Sequence, residues 1–264
     1  TPSAYCALLA QHAGAKAIYL SGAAVANSAL GVPDLALTDL QDVVEEARRI
    51  TSVCSLPLLV DVDTGWDDPA LTVRSLAAVG AAGIQMEDQV EAKRCGHLPG
   101  KNLVGASEMQ ERIQSAVHAR TDRNFVVMAR TDAHAVEGLH AAIERAQAYC
   151  AAGADMIFAE ALTSLDEFAL FTQAISVPLL ANITEFGNTP LFSVAELGQV
   201  GVKLVLFPLT AFRAMNAAAL NVYTSIVKSG TQKSLVENMQ TRAELYKILH
   251  YDKWEKNRDK LLKA

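Results

Sequence analysis

Pro57-Leu58-Leu59-Val60-Asp61-Val62-Asp63 opens on an unbroken apolar run and closes on two acids. A half-exposed strand alternates apolar and polar residues, whereas a run like this one reads as a parallel strand covered on both faces. The same form recurs along the chain. Strands are expected at residues 17–21, 57–63, 83–87, 125–131, 156–160, 177–183 and 203–208. Stretches of helical periodicity stand between them at 40–53, 70–79, 108–119 and 139–151. The pairs Ala13-Gly14, Ala82-Gly83 and Ala152-Gly153 are expected to close helices just before strands, where a positive φ is useful.

Alternating β and α elements without a linker imply an α/β fold. An open doubly wound sheet usually carries a Gly-rich phosphate loop after its first strand, and none is present. The expectation is therefore a (β/α)8 TIM barrel. Seven strands are one short. Because residues 4–13 already read as a helix, the first strand is expected to lie upstream of Thr1 and to be largely missing. Residues 1–264 are expected to form a single barrel domain. Within them, 212–264 form a helical extension (212–229, 236–249 and a charged tail) with no further strand to serve, free to dock on another subunit.

The composition bounds the function. Of 264 residues, 51% are hydrophobic and 20% charged, enough apolar surface for a large core and too much for disorder. The net charge of −6 disfavours nucleic acid and anionic membranes as main partners. No apolar run approaches the roughly 20 residues that span a bilayer. Four cysteines are too few for a disulfide scaffold, so a reducing compartment is expected: cytoplasm, or the mitochondrial matrix for a eukaryotic source. Cys6, Cys54 and Cys150 read as small buried hydrophobes.

In barrels of this type the working residues stand at the C-terminal ends of the strands. Those ends read Tyr19-Leu20-Ser21-Gly22-Ala23, Asp61-Val62-Asp63, Glu87-Asp88, Arg130-Thr131-Asp132, Glu160 and Asn182-Ile183-Thr184. A single acid after a strand is commonly a helix cap, but a ring of polar groups on one rim exceeds what packing or capping needs. Asp61 and Asp63 are two apart, which on a regular strand puts both on one face. Oxygen ligands without histidine select a hard cation, Mg²⁺ or Mn²⁺, with Glu87 joining directly or through water. The competing reading is a structural ion network with Arg130 or Lys93.

Lys93-Arg94-Cys95-Gly96-His97 lies in a long polar loop after the strand at 83–87. Positive neighbours favour the thiolate, so Cys95 reads as a poised nucleophile or general acid/base. A Schiff-base aldolase needs a strand lysine at the working rim, but Lys203 opens a strand and Lys16 precedes one. A zinc aldolase needs grouped histidines, but His12, His118, His134, His140 and His250 are scattered over helical stretches. A hard cation with a protonating thiol suits cleavage of a C–C bond next to carboxylates.

Lys93-Arg94-Cys95-Gly96-His97 resembles the signature of the isocitrate lyase/phosphoenolpyruvate mutase superfamily. Arg94, the compact length and Ala181-Asn182-Ile183-Thr184-Glu185-Phe186-Gly187 resemble its 2-methylisocitrate lyase family in particular. The resemblance covers nearly the whole chain. It implies cleavage of (2S,3R)-2-methylisocitrate to pyruvate and succinate, the step of the 2-methylcitrate cycle in propionate catabolism. It implies Mg²⁺ (or Mn²⁺) at Asp61 and Asp63, supported by Glu87 and Asp34. Cys95 is the implied proton donor to the succinate fragment, with Lys93, His97, Tyr19 and Arg130 completing the catalytic set. Ser21, Gly22, Ala23, Cys95, Gly96, Arg130, Glu160, Asn182, Ile183, Thr184, Arg213 and Arg242 match substrate-contacting positions, as suits a small tricarboxylate. The family's homotetramer with exchanged helices is implied too, with 236–249 as the exchanged segment.

Ala23 stands where the family usually has Gly, which strains the loop if φ must be positive there. Two other readings fit the same residues. One is an isocitrate lyase or an enzyme of shorter 2-oxo acids in the same superfamily, such as a decarboxylase or phosphonopyruvate-type enzyme. The other is a non-catalytic protein on the same scaffold.

Overall fold

The computed structural model describes residues 1–91 and 100–261. Seven parallel strands form one sheet in chain order: β1 (Ile18–Leu20), β2 (Leu58–Asp61), β3 (Gly83–Glu87), β4 (Val126–Thr131), β5 (Met156–Ala159), β6 (Leu179–Asn182) and β7 (Leu204–Leu206). All seven expected strands are there, most of them one to three residues shorter than the apolar runs suggested. The helices are α1 (Ala4–His12), α2 (Gly22–Ala24), α3 (Leu40–Thr51), α4 (Pro69–Ala78), α5 (Ala106–Ala119), α6 (His134–Glu137), α7 (Leu139–Ala151), α8 (Leu165–Ala174), α9 (Val194–Gln199), α10 (Thr210–Ser229), α11 (Arg242–Leu249) and α12 (Tyr251–Leu261).

Two cores follow from the strand alternation. Ile18, Leu20, Val60, Ile84, Val127, Ala129 and Ile157 face outward and pack with α3, α4, α5 and α7 through residues such as Val43, Leu76, Ile113 and Tyr149. Tyr19, Met128, Phe158, Leu180 and Leu206 face inward and form a smaller cluster inside the sheet. Stepping two residues along the same inner face converts this apolar layer into a polar rim. Met128 is followed by Arg130, Phe158 by Glu160, Leu180 by Asn182, Leu59 by Asp61 and Gln85 by Glu87.

Between β1 and β7 lies a cavity of about 340 Å³ lined by Ile18, Tyr19, Leu180, Leu204 and Leu206, with Thr1 and Pro2 at its edge. The Thr1 amino nitrogen donates to the Tyr19 carbonyl at 2.5 Å, along the open edge of β1. This is where the eighth strand of a (β/α)8 barrel stands, so the architecture is the expected barrel with one strand position unfilled.

Local chemistry explains several boundaries. Asp39 and Asp42 form a capping box at α3, and Ser193 and Glu196 form another at α9. The Ser164 side chain caps α8 by accepting from the Glu167 amide. Those serines are the signals for α8 and α9, two helices the periodicity did not single out. Gly14 and Gly153 take φ of +91° and +105°, as expected. Gly83 does not: it opens β3 with no helix-closing role. A Cβ there would stand 2.6 Å from the Val126 carbonyl oxygen, so close strand approach is what requires glycine.

The expected helix at 236–249 is split. A 3-10 turn (Lys233–Asn238) is followed by α11, restarted by a Thr241–Glu244 capping box. No residue of α10 is buried. No helix among the described residues is long and apolar enough to cross a membrane.

Candidate active site

The strand ends bring Asp61, Glu87, Arg130, Glu160 and Asn182 to one rim, all buried. Asp61 closes β2, and Asp63 lies beyond it in a turn. The expectation that a regular strand aligns the two acids is therefore corrected. The chain turns left-handed at Asp63 (φ +50°), and the Asp63 amide donates to Asp61 Oδ1 at 3.2 Å. Gly65 and Trp66 also take positive φ, so the whole turn is tight. A non-glycine residue in this region is uncommon and strained, and such strain gathers at functional sites.

Gly22, at the start of α2, donates its N–H to Asp61 Oδ2 at 3.1 Å. A Cβ on Gly22 would stand 3.1 Å from Asp63 Oδ1 and 3.5 Å from Asp61 Oδ2, so both carboxylates flank the one residue with no side chain. Ala23 lies within the helical turn and does not have positive φ, so the substitution for glycine introduces no strain there.

Arg130 is the hub. Its Nη1 lies 3.2 Å from Glu87 Oε2, its Nε and Nη2 take both Asp132 oxygens at 2.9 and 3.1 Å, and Nη2 lies 3.2 Å from Glu160 Oε2. The guanidinium rests 5.0 Å over the Phe158 ring. Burial pulls the Arg130 pKa down, but Asp132, Glu87 and Glu160 outweigh it and hold the guanidinium charged. Lys101 Nζ also reaches Asp132 Oδ1, at 2.9 Å. Asp88 fixes this array from behind, accepting from Thr131 Oγ1, the Asp132 amide and Tyr149 Oη at 2.8–2.9 Å.

Tyr19 points into the barrel and donates to Gln85 Oε1 at 2.6 Å. Burial and the neighbouring Asp61 carboxylate push its phenol well above the usual range, so it stays protonated. Glu160 Oε1 accepts from the Ala161 amide at 2.9 Å, and Asn182 Nδ2 lies 3.3 Å from both Glu160 oxygens. Arg213, near the start of α10, donates from Nη1 to Thr184 Oγ1 at 2.9 Å and to Glu185 Oε2 at 2.5 Å.

The remaining expected residues fall elsewhere. Ile183 packs in the outer core and gives its N–H to the Leu206 carbonyl, so only its neighbours Asn182 and Thr184 belong to the polar side. Arg242 is exposed at the start of α11, which packs on α1. Asp34 is half-buried in the irregular segment before α3. Among the described residues no three His, Cys, Asp or Glu side chains gather closely enough to hold a metal ion by themselves. Lys93, Arg94, Cys95, Gly96 and His97 lie outside the described residues.

Sequence reading missed Gln85 and Lys101. Gln85 had a signal, a polar residue within an otherwise apolar strand. Lys101 had none, since a lysine after a basic loop reads as solvated.

A family model described as phosphoenolpyruvate phosphomutase matches residues 3–227. The chain is 56% identical over 265 residues to 2-methylisocitrate lyase of Escherichia coli and 54% over 264 residues to that of Shewanella oneidensis. In both cases 99% of this chain and 90% of the relative are covered. Among solved structures, 2,3-dimethylmalate lyase superposes with a TM-score of 0.91 at 34% identity, covering 98% of this chain and 88% of that one. Phosphonopyruvate hydrolase in complex with oxalate and Mg²⁺ superposes with a TM-score of 0.87 at 30% identity, covering 99% and 92%.

Proposed function

Because the chain belongs to the phosphoenolpyruvate phosphomutase family, within the phosphoenolpyruvate mutase/isocitrate lyase superfamily, we propose that its barrel rim is the active site of a carbon–carbon lyase. The reaction is cleavage of (2S,3R)-2-methylisocitrate to pyruvate and succinate, the step that serves the 2-methylcitrate cycle of propionate catabolism. What carries this reading is the convergence of Asp61, Asp63 and the Arg130 cluster on one rim, in a chain more than half identical along its length to named 2-methylisocitrate lyases.

The donor set fits a divalent hard cation. Asp61 and Asp63 stand beside further buried carboxylates, Glu87, Asp132 and Glu160, on the same rim. The Asp61–Asp63 pair offers oxygen alone, and Gly22 leaves its two carboxylates uncrowded. Mg²⁺ suits such a site, since it is commonly held by one or two carboxylates and keeps its waters; Mn²⁺ is the alternative. When bound, the cation supplies positive charge to the 2-hydroxy acid end of the substrate and to the oxyanion that develops there.

The chain's own residues do the rest. Arg130 binds and orients Glu87 and Glu160, while Asn182 and Thr184 offer polar contacts to the substrate's carboxylates. Because the Gly22 N–H is held by Asp61, Ser21 and Ala23 are the contacts left in that turn. The hydroxyl proton is taken up at the acidic rim as the C2 carbonyl of pyruvate forms. The electrons of the C2–C3 bond pass to C3, where the adjacent carboxylate spreads the charge. Cys95, its thiol favoured as a proton source by Lys93 and His97, delivers a proton to C3 and completes succinate. Tyr19, whose hydroxyl is fixed by its bond to Gln85, is the partner in proton transfer on the inner face of the rim.

The helices beyond β7 support a homotetramer with exchanged helices. None of α10 is buried, and Leu220, Tyr223 and Val227 on it are 68%, 69% and 85% exposed. The three described cysteines are free, which suits the cytoplasm. Incubation with Mg²⁺ and 2-methylisocitrate, following pyruvate, tests the reaction. Absence of product with metal present, or faster turnover of isocitrate than of its 2-methyl analogue, overturns the assignment.

A further inference from the structure

Glu185, Phe186 and Thr210 serve no part of the reaction described above, yet all three gather on or beside Arg213. Glu185 Oε2 accepts from Arg213 Nη1 at 2.5 Å, and its other oxygen accepts from Thr210 Oγ1 at 2.5 Å. Thr184 Oγ1 takes a second bond from the same Nη1 at 2.9 Å. The Phe186 ring lies with its centroid 5.7 Å from the guanidinium carbon.

Phe186 itself is unusual twice over. It is 95% exposed, and its backbone is left-handed at φ +64°. A bulky residue held there is strained, and an exposed phenylalanine forgoes burial. Arg213 is the charged group its ring meets. The left-handed turn after Glu185 lays the ring over the guanidinium while the Glu185 carboxylate grips its edge.

The clamp is one-sided. Only Nη1 is engaged by hydrogen bonds to described residues, which leaves the Nε–Nη2 edge, the fork that matches a carboxylate bidentately. We propose that Glu185 and Phe186 are positioning residues that preorganise Arg213, holding one edge and one face so that the open fork captures a carboxylate of the substrate. The inference rests on the assignment of a carboxylate substrate made above, and it deepens that assignment by naming what sets its affinity. Ordering a long side chain before binding removes an entropic cost that binding otherwise carries. The loss should therefore appear in substrate and product affinity and not in the chemical step.

The experiment measures kcat and KM for 2-methylisocitrate, and Kd for succinate by calorimetry, in the full chain with Mg²⁺. Glu185→Ala and Phe186→Leu are expected to raise both KM and Kd about tenfold, the scale of one charge-assisted hydrogen bond, with kcat within about twofold. Phe186→Tyr keeps an aromatic face and is expected to stay near wild type, whereas leucine keeps only apolar bulk. A thermal melt checks that each variant is folded. An active wild type whose Glu185→Ala variant binds succinate as well or better overturns this inference alone, and so does Phe186→Leu matching Phe186→Tyr. A wild type that neither cleaves 2-methylisocitrate nor binds succinate overturns the substrate assignment and this inference with it.

Discussion

Asp61 accepts a hydrogen bond from the amide of Asp63, 3.2 Å away, across a turn in which Asp63 is itself left-handed. Two carboxylates are thus drawn together within buried surroundings, at the cost of backbone strain and like-charge repulsion. Such an arrangement persists only where something outweighs both.

The first prediction separates metal binding from folding. Asp61→Asn and Asp63→Asn are each expected to abolish measurable Mg²⁺ binding in calorimetry. Added Mg²⁺ should raise the thermal midpoint of the wild type and of neither variant. A wild type whose midpoint does not move with Mg²⁺ would instead mark the pair as a structural ion network.

Arg130 is surrounded by three buried carboxylates, so its removal takes an ion pair from each of them, and Asp132 keeps only Lys101 among the described cations. Arg130→Met is expected to destabilise the fold by about 3–5 kcal/mol in denaturant titration and to abolish turnover. Arg130→Lys keeps the charge but cannot reach Glu87, both Asp132 oxygens and Glu160 together; it should retain part of the stability and little activity. Equal loss from both variants would show that geometry, and not charge, holds the cluster.

Asp132 sets the acid limit. Burial raises its pKa, but Arg130 and Lys101 outweigh that and hold it below the ordinary value of 3.8. Its folded-state pKa therefore lies below its unfolded one. The stability it contributes is fully present above about pH 3.8 and is lost as pH falls through the lower, folded value. Asp88, raised by burial, acts with the opposite sign and blunts the slope. Urea titrations over this acid range should show a shallower pH dependence for Asp132→Asn than for wild type. An unchanged slope would remove Asp132 from this role.

Selectivity for the methyl group is expected from the inner apolar layer. Phe158 lies directly under Arg130, and Leu206 belongs to the same cluster. Leu206→Thr should reduce the preference for 2-methylisocitrate over isocitrate by roughly tenfold or more, the scale of one methyl contact. A ratio of kcat/KM values that does not move would place the methyl pocket elsewhere.

The barrel was legible because parallel strands covered on both faces write themselves as apolar runs, as in 57–63 and 125–131. The polar rim was legible because those runs end in acids and Arg130. What the sequence concealed were relationships that no spacing encodes. Asp63 meets Asp61 through a left-handed turn and not through strand parity. Lys101 pairs with Asp132, 31 residues away in sequence. Ile183 lies within the polar stretch 182–184, yet alternation turns its side chain outward. The exposed face of α10 was foreshadowed only by its position after the last strand.

The last prediction concerns the bond between Tyr19 and Gln85. Tyr19 Oη donates to Gln85 Oε1 at 2.6 Å, while Gln85 Nε2, also buried, has no hydrogen bond to any described residue. Gln85→Leu deletes that amide nitrogen but strands the Tyr19 hydroxyl, and the stranded group is expected to cost about 1–3 kcal/mol in stability. Tyr19→Phe instead leaves both ends of the amide without a partner and should cost a similar amount. The double variant removes every polar atom of the pair together, so it should cost clearly less than the sum of the single changes. A strictly additive double variant in denaturant titration would mean that the two side chains do not depend on one another. If the coupling is found, Tyr19 owes its fixed orientation to Gln85. Gln85→Leu should then lower kcat, by no more than Tyr19→Phe does, although Gln85 need touch no reacting atom.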